Sequence, residues 1–375
     1  MAMLSRRGTM LLPLGLAGLT AACAHSPSEA VLVPDPSGRA DPEQRALLET
    51  YAQLGARPVE ALTPAEARAQ PSFADAVRSR ALAMQNTNPQ RVIGSQEDMT
   101  LNTVPTPLRA RLYRPIPAHN RPLPLIVYFH GGGWVTGNID TYDATARALC
   151  AESEALVLSV QYRQAPEFRF PAAQDDANVA WVWAVTNAAS LGADPNNIAI
   201  AGESSGANLA INAALYAREM GARMPRAMVL IYPVAGTDMN APSYVQFGNA
   251  RPLGKASVAW HLQNYTRSPA DLRDPRLDVY NRADLAGLPP AIIVNAEIDP
   301  LQSDGERLAE KLRVAGVLVQ RVVYPGVTHE FFGADAVLGK AREAQRFVGE
   351  QVRIAFAAPP APQPAPRRRT RQPGM

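Results

Sequence analysis

The chain has 375 residues, 47% of hydrophobic type and 19% charged, which is enough apolar material for one large α/β domain and rules out wholesale disorder. Two cysteines exclude a disulfide scaffold or a Cys-rich zinc site, and the lack of any run of 18 or more apolar residues excludes an ordinary transmembrane helix. The formal charge of +3 arises at the ends, where residues 1–23 and 359–375 carry six arginines and no acid; the body is mildly acidic and no nucleic-acid partner is expected.

The first segment reads as an export signal. Ser5-Arg6-Arg7 precedes the apolar stretch Met10–Ala22, which is too short to span a bilayer but suits a signal core. Ser5–Leu11 is similar to a twin-arginine signal. Leu19-Thr20-Ala21-Ala22-Cys23 resembles a bacterial lipobox with Cys23 as the lipidated residue, departing from it at Thr20, where leucine is usual. The expectation is an exported, periplasmic protein, lipid-anchored at Cys23 and touching membrane only through that anchor. Cleavage after Ala22 or Ala24 would instead give a soluble product. Asp41–Asn88 then has helical composition without a strand pattern.

From residue 109 onward strands and helices alternate. Arg109–Tyr113 is expected as an antiparallel edge strand, and Leu123–His130 is an apolar run of β-formers. Thr141–Glu152 reads as a helix that buries Cys150 as a small apolar residue. Ala155–Tyr162 is a strand, and Ala172–Ala189 a helix with an apolar face predicted at Val179, Val182 and Trp183. Its acids Asp175 and Asp176 are expected to interact with the helix dipole. Asn197–Ala201, Arg226–Tyr232, Ala291–Ala296 and Val317–Val323 are further strands; Ser205–Met220, Gln302–Val314 and Ala336–Phe356 are helices. Continuous apolar strands separated by helices imply a mostly parallel sheet covered on both faces. Val234–Leu288 interrupts the alternation as a long, Pro-punctuated insertion of the kind that forms a lid over strand ends. Residues 357–375, with six prolines and four arginines, are expected to be a disordered tail.

Two glycine-rich motifs carry chemistry. His130-Gly131-Gly132-Gly133-Trp134 ends the Leu123–His130 strand. Consecutive glycines leave bare N–H groups able to stabilise developing negative charge, so Gly132 and Gly133 are candidate oxyanion donors, joined by the N–H of Ser205. A phosphate loop is disfavoured, since no Lys-Ser/Thr or Gly-x-Gly-x-x-Gly pattern accompanies it. His130 is expected to brace this loop. Gly202-Glu203-Ser204-Ser205-Gly206 lies between a strand and a helix, the context of a nucleophile elbow presenting the Ser204 hydroxyl. The bland alternative is a glycine-rich turn without catalysis. Glu203, beside Ser204, is a candidate hydrogen-bonding partner in the surrounding shell.

With these motifs in this order, the chain resembles the hormone-sensitive-lipase-like (bacterial family IV) branch of the α/β-hydrolases, from about Arg91 to Phe356. Tyr162-Arg163-Gln164-Ala165-Pro166-Glu167 and Phe170-Pro171-Ala172-Ala173 match a stretch that this branch carries between the motifs. Departures are Glu203 for aspartate, Ser205 for alanine, and Phe168-Arg169 for His-Pro. The resemblance implies an α/β-hydrolase fold with a helical cap, no cofactor or metal, and an acid and a histidine after the serine. Asp299 and His329, each just beyond a core strand, fit that order; Asp304 and Glu297 are weaker candidates for the acid. His329 would take the Ser204 proton, and Asp299 would fix its tautomer. The implied activity is a carboxylesterase acting on small to medium acyl esters. The alternatives are amide or aryl-formamide hydrolysis by the same triad, or a non-catalytic ligand-binding module, against which the presence of His329 speaks. The expected organisation is an export signal at 1–23, a linker and helical cap segment at 24–90, a hydrolase domain at 91–356 with an insertion at about 234–288, and the tail at 357–375.

Overall fold

The structure is a computed structural model that describes residues 34–87, 90–116 and 121–359. The leader with Cys23, the segment holding His119 and nearly all of the tail lie outside the described residues. Three short helices come first: α1 (Pro42–Gln53), α2 (Pro64–Ala69) and α3 (Phe73–Ala83). Each begins at a side chain that satisfies an otherwise orphaned backbone N–H. Asp41 accepts from the Gln44 N–H, and Thr63 with Glu66 and Ser72 with Asp75 form reciprocal capping boxes.

The remaining elements are β1 (Ser95–Leu101), β2 (Leu108–Arg114), β3 (Leu123–Phe129), α4 (Asp143–Ser153), β4 (Leu156–Gln161), α5 (Ala172–Asn187), β5 (Ala193–Glu203), α6 (Ser205–Met220), β6 (Met228–Ile231), α7 (Pro242–Gln246), α8 (Lys255–Tyr265), β7 (Ala291–Ile298), α9 (Gln302–Val314), β8 (Val319–Thr328) and α10 (Gly339–Ala357). The strands form one sheet in the order β1-β2-β4-β3-β5-β6-β7-β8, in which β1, β2 and β4 pair antiparallel and all other neighbours are parallel. Side-chain alternation along each strand feeds two separate cores. Leu125, Val127 and Phe129 of β3 face one core, with Ala177 and Trp181 of α5, Leu209 of α6 and Leu308 of α9. Ile126 and Tyr128 face the other, with Leu149 of α4, Val348 of α10 and Leu47 of α1. This two-sided burial is why the central strands read as unbroken apolar runs.

Two expectations need correction. Arg109–Tyr113 lies in β2, which is one strand in from the edge; the edge strand is β1. β1, Ser-Gln-Glu-Asp-Met-Thr-Leu, leaves most of its side chains exposed and so carries no apolar alternation to read. The buried face of α5 is Ala173, Ala177, Ala180, Trp181 and Ala184, whereas Val182 is 41% exposed. Small side chains let α5 approach its neighbours closely, while Val179 and Trp183 of the expected face are partly buried and pack at the margin of the core. Asp176, on that buried face, accepts from the Arg163 N–H (2.7 Å) and guanidinium (2.7 and 3.0 Å), an ion pair in place of the expected dipole contact.

β3 pairs with β4 on one side and β5 on the other, so successive crossovers leave it in opposite directions. The crevice beyond the carboxyl ends of β3 and β5 is therefore a topological switch point, the usual ligand position in an open α/β sheet. Both glycine motifs open into it.

Candidate active site

β5 runs directly into Ser204, whose backbone sits at φ 55°, ψ −121°, a region that non-glycine residues rarely adopt. The turn is held by contact on both sides. A Cβ at Gly202 would lie 2.1 Å from the Gly206 carbonyl oxygen, and one at Gly206 would lie 2.0 Å from that of Phe129. Neither position admits a side chain, and the strained residue between them caps α6 with its hydroxyl-bearing carbon at the helix N-terminus.

The loop after β3 bends through Gly132 at φ +98° and Gly133 at φ +59°. The Gly132 carbonyl accepts from the N–H groups of Val135 (3.1 Å) and Thr136 (2.8 Å). Among the described residues the N–H groups of Gly132, Gly133 and Ser205 have no protein acceptor. The Trp134 N–H donates to Ser205 Oγ at 3.3 Å, so the serine that replaces alanine ties this loop to the first turn of α6. His130 is fully buried between Tyr142 and Tyr162, stacking on them at 5.6 and 4.4 Å, and its Nδ1 lies 2.8 Å from the Gly131 carbonyl oxygen. Burial pushes its pKa down to about 4, so it is neutral. Tyr162 donates to the carbonyls of both His130 and Gly131, at 3.0 and 3.1 Å.

Sheet register brings the other two residues together. Ile298 of β7 stands opposite Thr328 of β8, so Asp299 and His329 each follow by one residue. The His329 Nδ1–H donates to Asp299 Oδ2 at 2.7 Å, and Asp299 Oδ1 accepts the Leu301 N–H at 2.9 Å. Both side chains are buried. Burial alone would depress the His329 pKa, but the charge and hydrogen bond of Asp299 outweigh it and hold the imidazole above its ordinary value. With Nδ1 committed to Asp299, Nε2 of the neutral ring carries the free lone pair. The competing acids are engaged elsewhere. Asp304 accepts from the N–H groups of Ala235 (2.9 Å) and Gly236 (3.0 Å), and Glu297 accepts from Gly326 N–H (2.7 Å) and pairs with Arg39.

Ser204, His329, Gly132 and Gly133 line one cavity of about 270 Å³. Its other walls come from the N-terminal helices and the insertion, including Phe73, Arg68, Val258, His261 and Leu262. His261 lies on α8, within the insertion. It packs so closely on the glycine loop that a Cβ at Gly133 would lie 2.1 Å from its Cδ2. Its Nδ1 lies 2.8 Å from the Ser257 carbonyl, and burial lowers its pKa to about 4. Arg68 binds the carbonyls of Val135 (2.8 Å) and Ala165 (2.5 Å). No sequence motif marks either residue, because their relation to the cavity exists only after distant segments fold together. Glu203 accepts from the hydroxyls of Tyr128 and, at 2.7 Å, Tyr232. Cys150 is a buried free thiol, pushed up by burial to about 12.

Comparison with known proteins agrees with the fold. Residues 126–333 match the model of an alpha/beta hydrolase fold family. The chain is 40% identical over 243 residues to the carboxylesterase NlhH of Mycobacterium tuberculosis, covering 64% of this chain and 76% of that one. It is 38% identical over 248 residues to an ethyl acetate hydrolase of Pseudomonas putida, covering 65% and 77%. Among solved structures, an esterase of Pyrobaculum calidifontis matches with a TM-score of 0.73 at 35% identity, over 82% of this chain and 97% of that one. A thermostable esterase from Pseudomonas putida matches with a TM-score of 0.77 at 30% identity, over 86% and 99%.

Proposed function

The chain belongs to the hormone-sensitive-lipase-like branch of the α/β-hydrolase family and is a carboxylic ester hydrolase; from that premise we propose that Ser204, His329 and Asp299 are its catalytic triad. The observation that carries this reading is the 2.7 Å Nδ1–Oδ2 hydrogen bond between Asp299 and His329, the latter lining the same cavity as Ser204. Nε2 of neutral His329 accepts the Ser204 proton as Oγ bonds to the ester carbonyl carbon. The resulting oxyanion takes hydrogen bonds from the N–H groups of Gly132, Gly133 and Ser205. Asp299 stabilises the imidazolium, which then protonates the departing alcohol oxygen as its bond to the acyl carbon breaks. The same imidazole then deprotonates a water as its oxygen bonds to the acyl carbon, and the imidazolium returns that proton to Ser204 Oγ as the acyl–Oγ bond breaks and the acid is released.

Substrate size follows from the cavity. At about 270 Å³ it falls at or just below the small end of ligand pockets, which suits short to medium acyl groups, with the 234–288 insertion and the N-terminal helices acting as the cap. A series of p-nitrophenyl esters of increasing chain length, with aryl-formamides alongside, tests this. The expected result is highest kcat/KM at short chains with a steep decline as the acyl group outgrows the cavity. A preference for long chains, or for the formamides, would contradict it.

Export and lipidation at Cys23 remain our reading of the leader. The Arg-Arg pair, the short apolar core and the Leu-Thr-Ala-Ala-Cys sequence support it.

A further inference from the structure

Each member of the Ser204–His329 pair has a glutamate as its chain neighbour. Glu203 precedes the serine and is buried; Glu330 follows the histidine and lines the cavity. Among the described residues Glu203 has no cationic partner; its carboxylate is held by tyrosine hydroxyls, Tyr128 on one oxygen and Tyr232 on the other at 2.7 Å. Tyr232 is unusual in two ways. It adopts φ +34°, which is costly for a bulky side chain, and its ring lies on the His329 imidazole, with centroids 4.4 Å apart and planes at 51°. The same tyrosine therefore meets the imidazole with its ring and the buried carboxylate with its hydroxyl. Glu330 accepts from the Tyr142 hydroxyl at 2.7 Å.

We propose that Glu203 is a positioning residue for His329, acting through Tyr232: it anchors the tyrosine ring against the imidazole, and its negative charge, with that of Glu330, favours the imidazolium that forms when Ser204 gives up its proton. The inference rests on the triad assignment above. The groups that face Glu203 are Tyr128 of β3, Tyr142 and Thr145 at α4, Tyr162 after β4, Tyr232 after β6, and Glu330 beyond β8. Those that face His329 are Asp299, Glu330, Glu203 and, from the insertion, His261. His261 is neutral, so among the described residues the charged groups that act on the imidazole are carboxylates. Burial, with the charge of Glu330, raises the Glu203 pKa to about 7 despite the tyrosine donors. The carboxylate is therefore fully charged only above neutral pH, and its influence on the imidazole grows as pH rises through about 7.

The test is the titration of the His329 ring, read by NMR in a Ser204→Ala background that removes turnover, with and without Glu203→Gln. The expected result is a fall in the imidazole pKa of about half a unit or more on loss of the charge. In the protein with Ser204 intact, Glu203→Gln should lower kcat about tenfold with KM changed by less than about threefold. Glu203→Asp, which keeps the charge, should restore the titration. Tyr232→Phe keeps the ring and cuts its tie to the carboxylate; it should lower kcat in the same direction, and it serves as the second variant if Glu203→Gln does not fold. An imidazole titration unmoved by Glu203→Gln, or a kcat unmoved by Tyr232→Phe where only that variant folds, overturns the proposal. Undiminished ester hydrolysis by Ser204→Ala would instead overturn the triad itself, so the two failures are distinguishable.

Discussion

Ser204 owes its reach to a φ of 55° that only its flanking glycines make tolerable, and His329 owes its basicity to the carboxylate of Asp299. The second point fixes the pH dependence. The imidazole must be neutral to take the serine proton, and its pKa in the folded chain is raised above 6.5. Activity is therefore lost as pH falls through that raised value and gained as pH rises through it. A kcat/KM–pH profile should show its rising limb centred above pH 6.5; a limb centred below it would mean that burial wins over Asp299. At this scale the sequence was informative wherever backbone geometry demands a residue type. Gly202, Ser204 and Gly206 declare a turn that no other combination fits, and Gly132 and Gly133 declare bare N–H groups. Nothing comparable marks His261, whose packing on Gly133 depends on a helix more than a hundred residues away.

The elements that were easiest to foresee are the ones buried on both faces. β3, β4, β6 and β7 consist almost wholly of buried residues, so their composition alone identifies them. β1 escaped because an exposed edge has no such composition, and the buried face of α5 was misjudged because alanines, the residues that permit close packing, look neutral in a sequence. That helix offers a stability test. Asp176 is 1% exposed and its only strong partner is Arg163, at 2.7 Å from guanidinium to carboxylate. Arg163→Met would leave the buried carboxylate with the backbone N–H of residue 163 but no cation, and should cost about 3 kcal/mol, seen as a melting temperature lower by several degrees. An unchanged melting temperature would show that the pair contributes nothing to the fold.

At the level of the whole molecule, the chemistry is assembled by strand order. Loops after β3, β5, β7 and β8 share one end of a parallel sheet, and register places Asp299 and His329 side by side, so residues separated by up to two hundred positions share a cavity. This much follows from alternating strands and helices plus the convergence of loops at one edge; the shape of the cavity does not, because its walls come from the two segments without a repeating pattern. The proposed export and lipidation at Cys23 can be tested directly. Replacing Cys23 in Cys23→Ala should move the protein from the membrane fraction to the soluble periplasmic fraction, and retention in the membrane would refute anchoring at that residue. The central claim is that a single serine forms the acyl-enzyme. Mass spectrometry of the protein after reaction with a fluorophosphonate should find one adduct, on the peptide carrying Ser204, and none on Ser204→Ala. An adduct on any other residue, or labelling that survives the substitution, would contradict it.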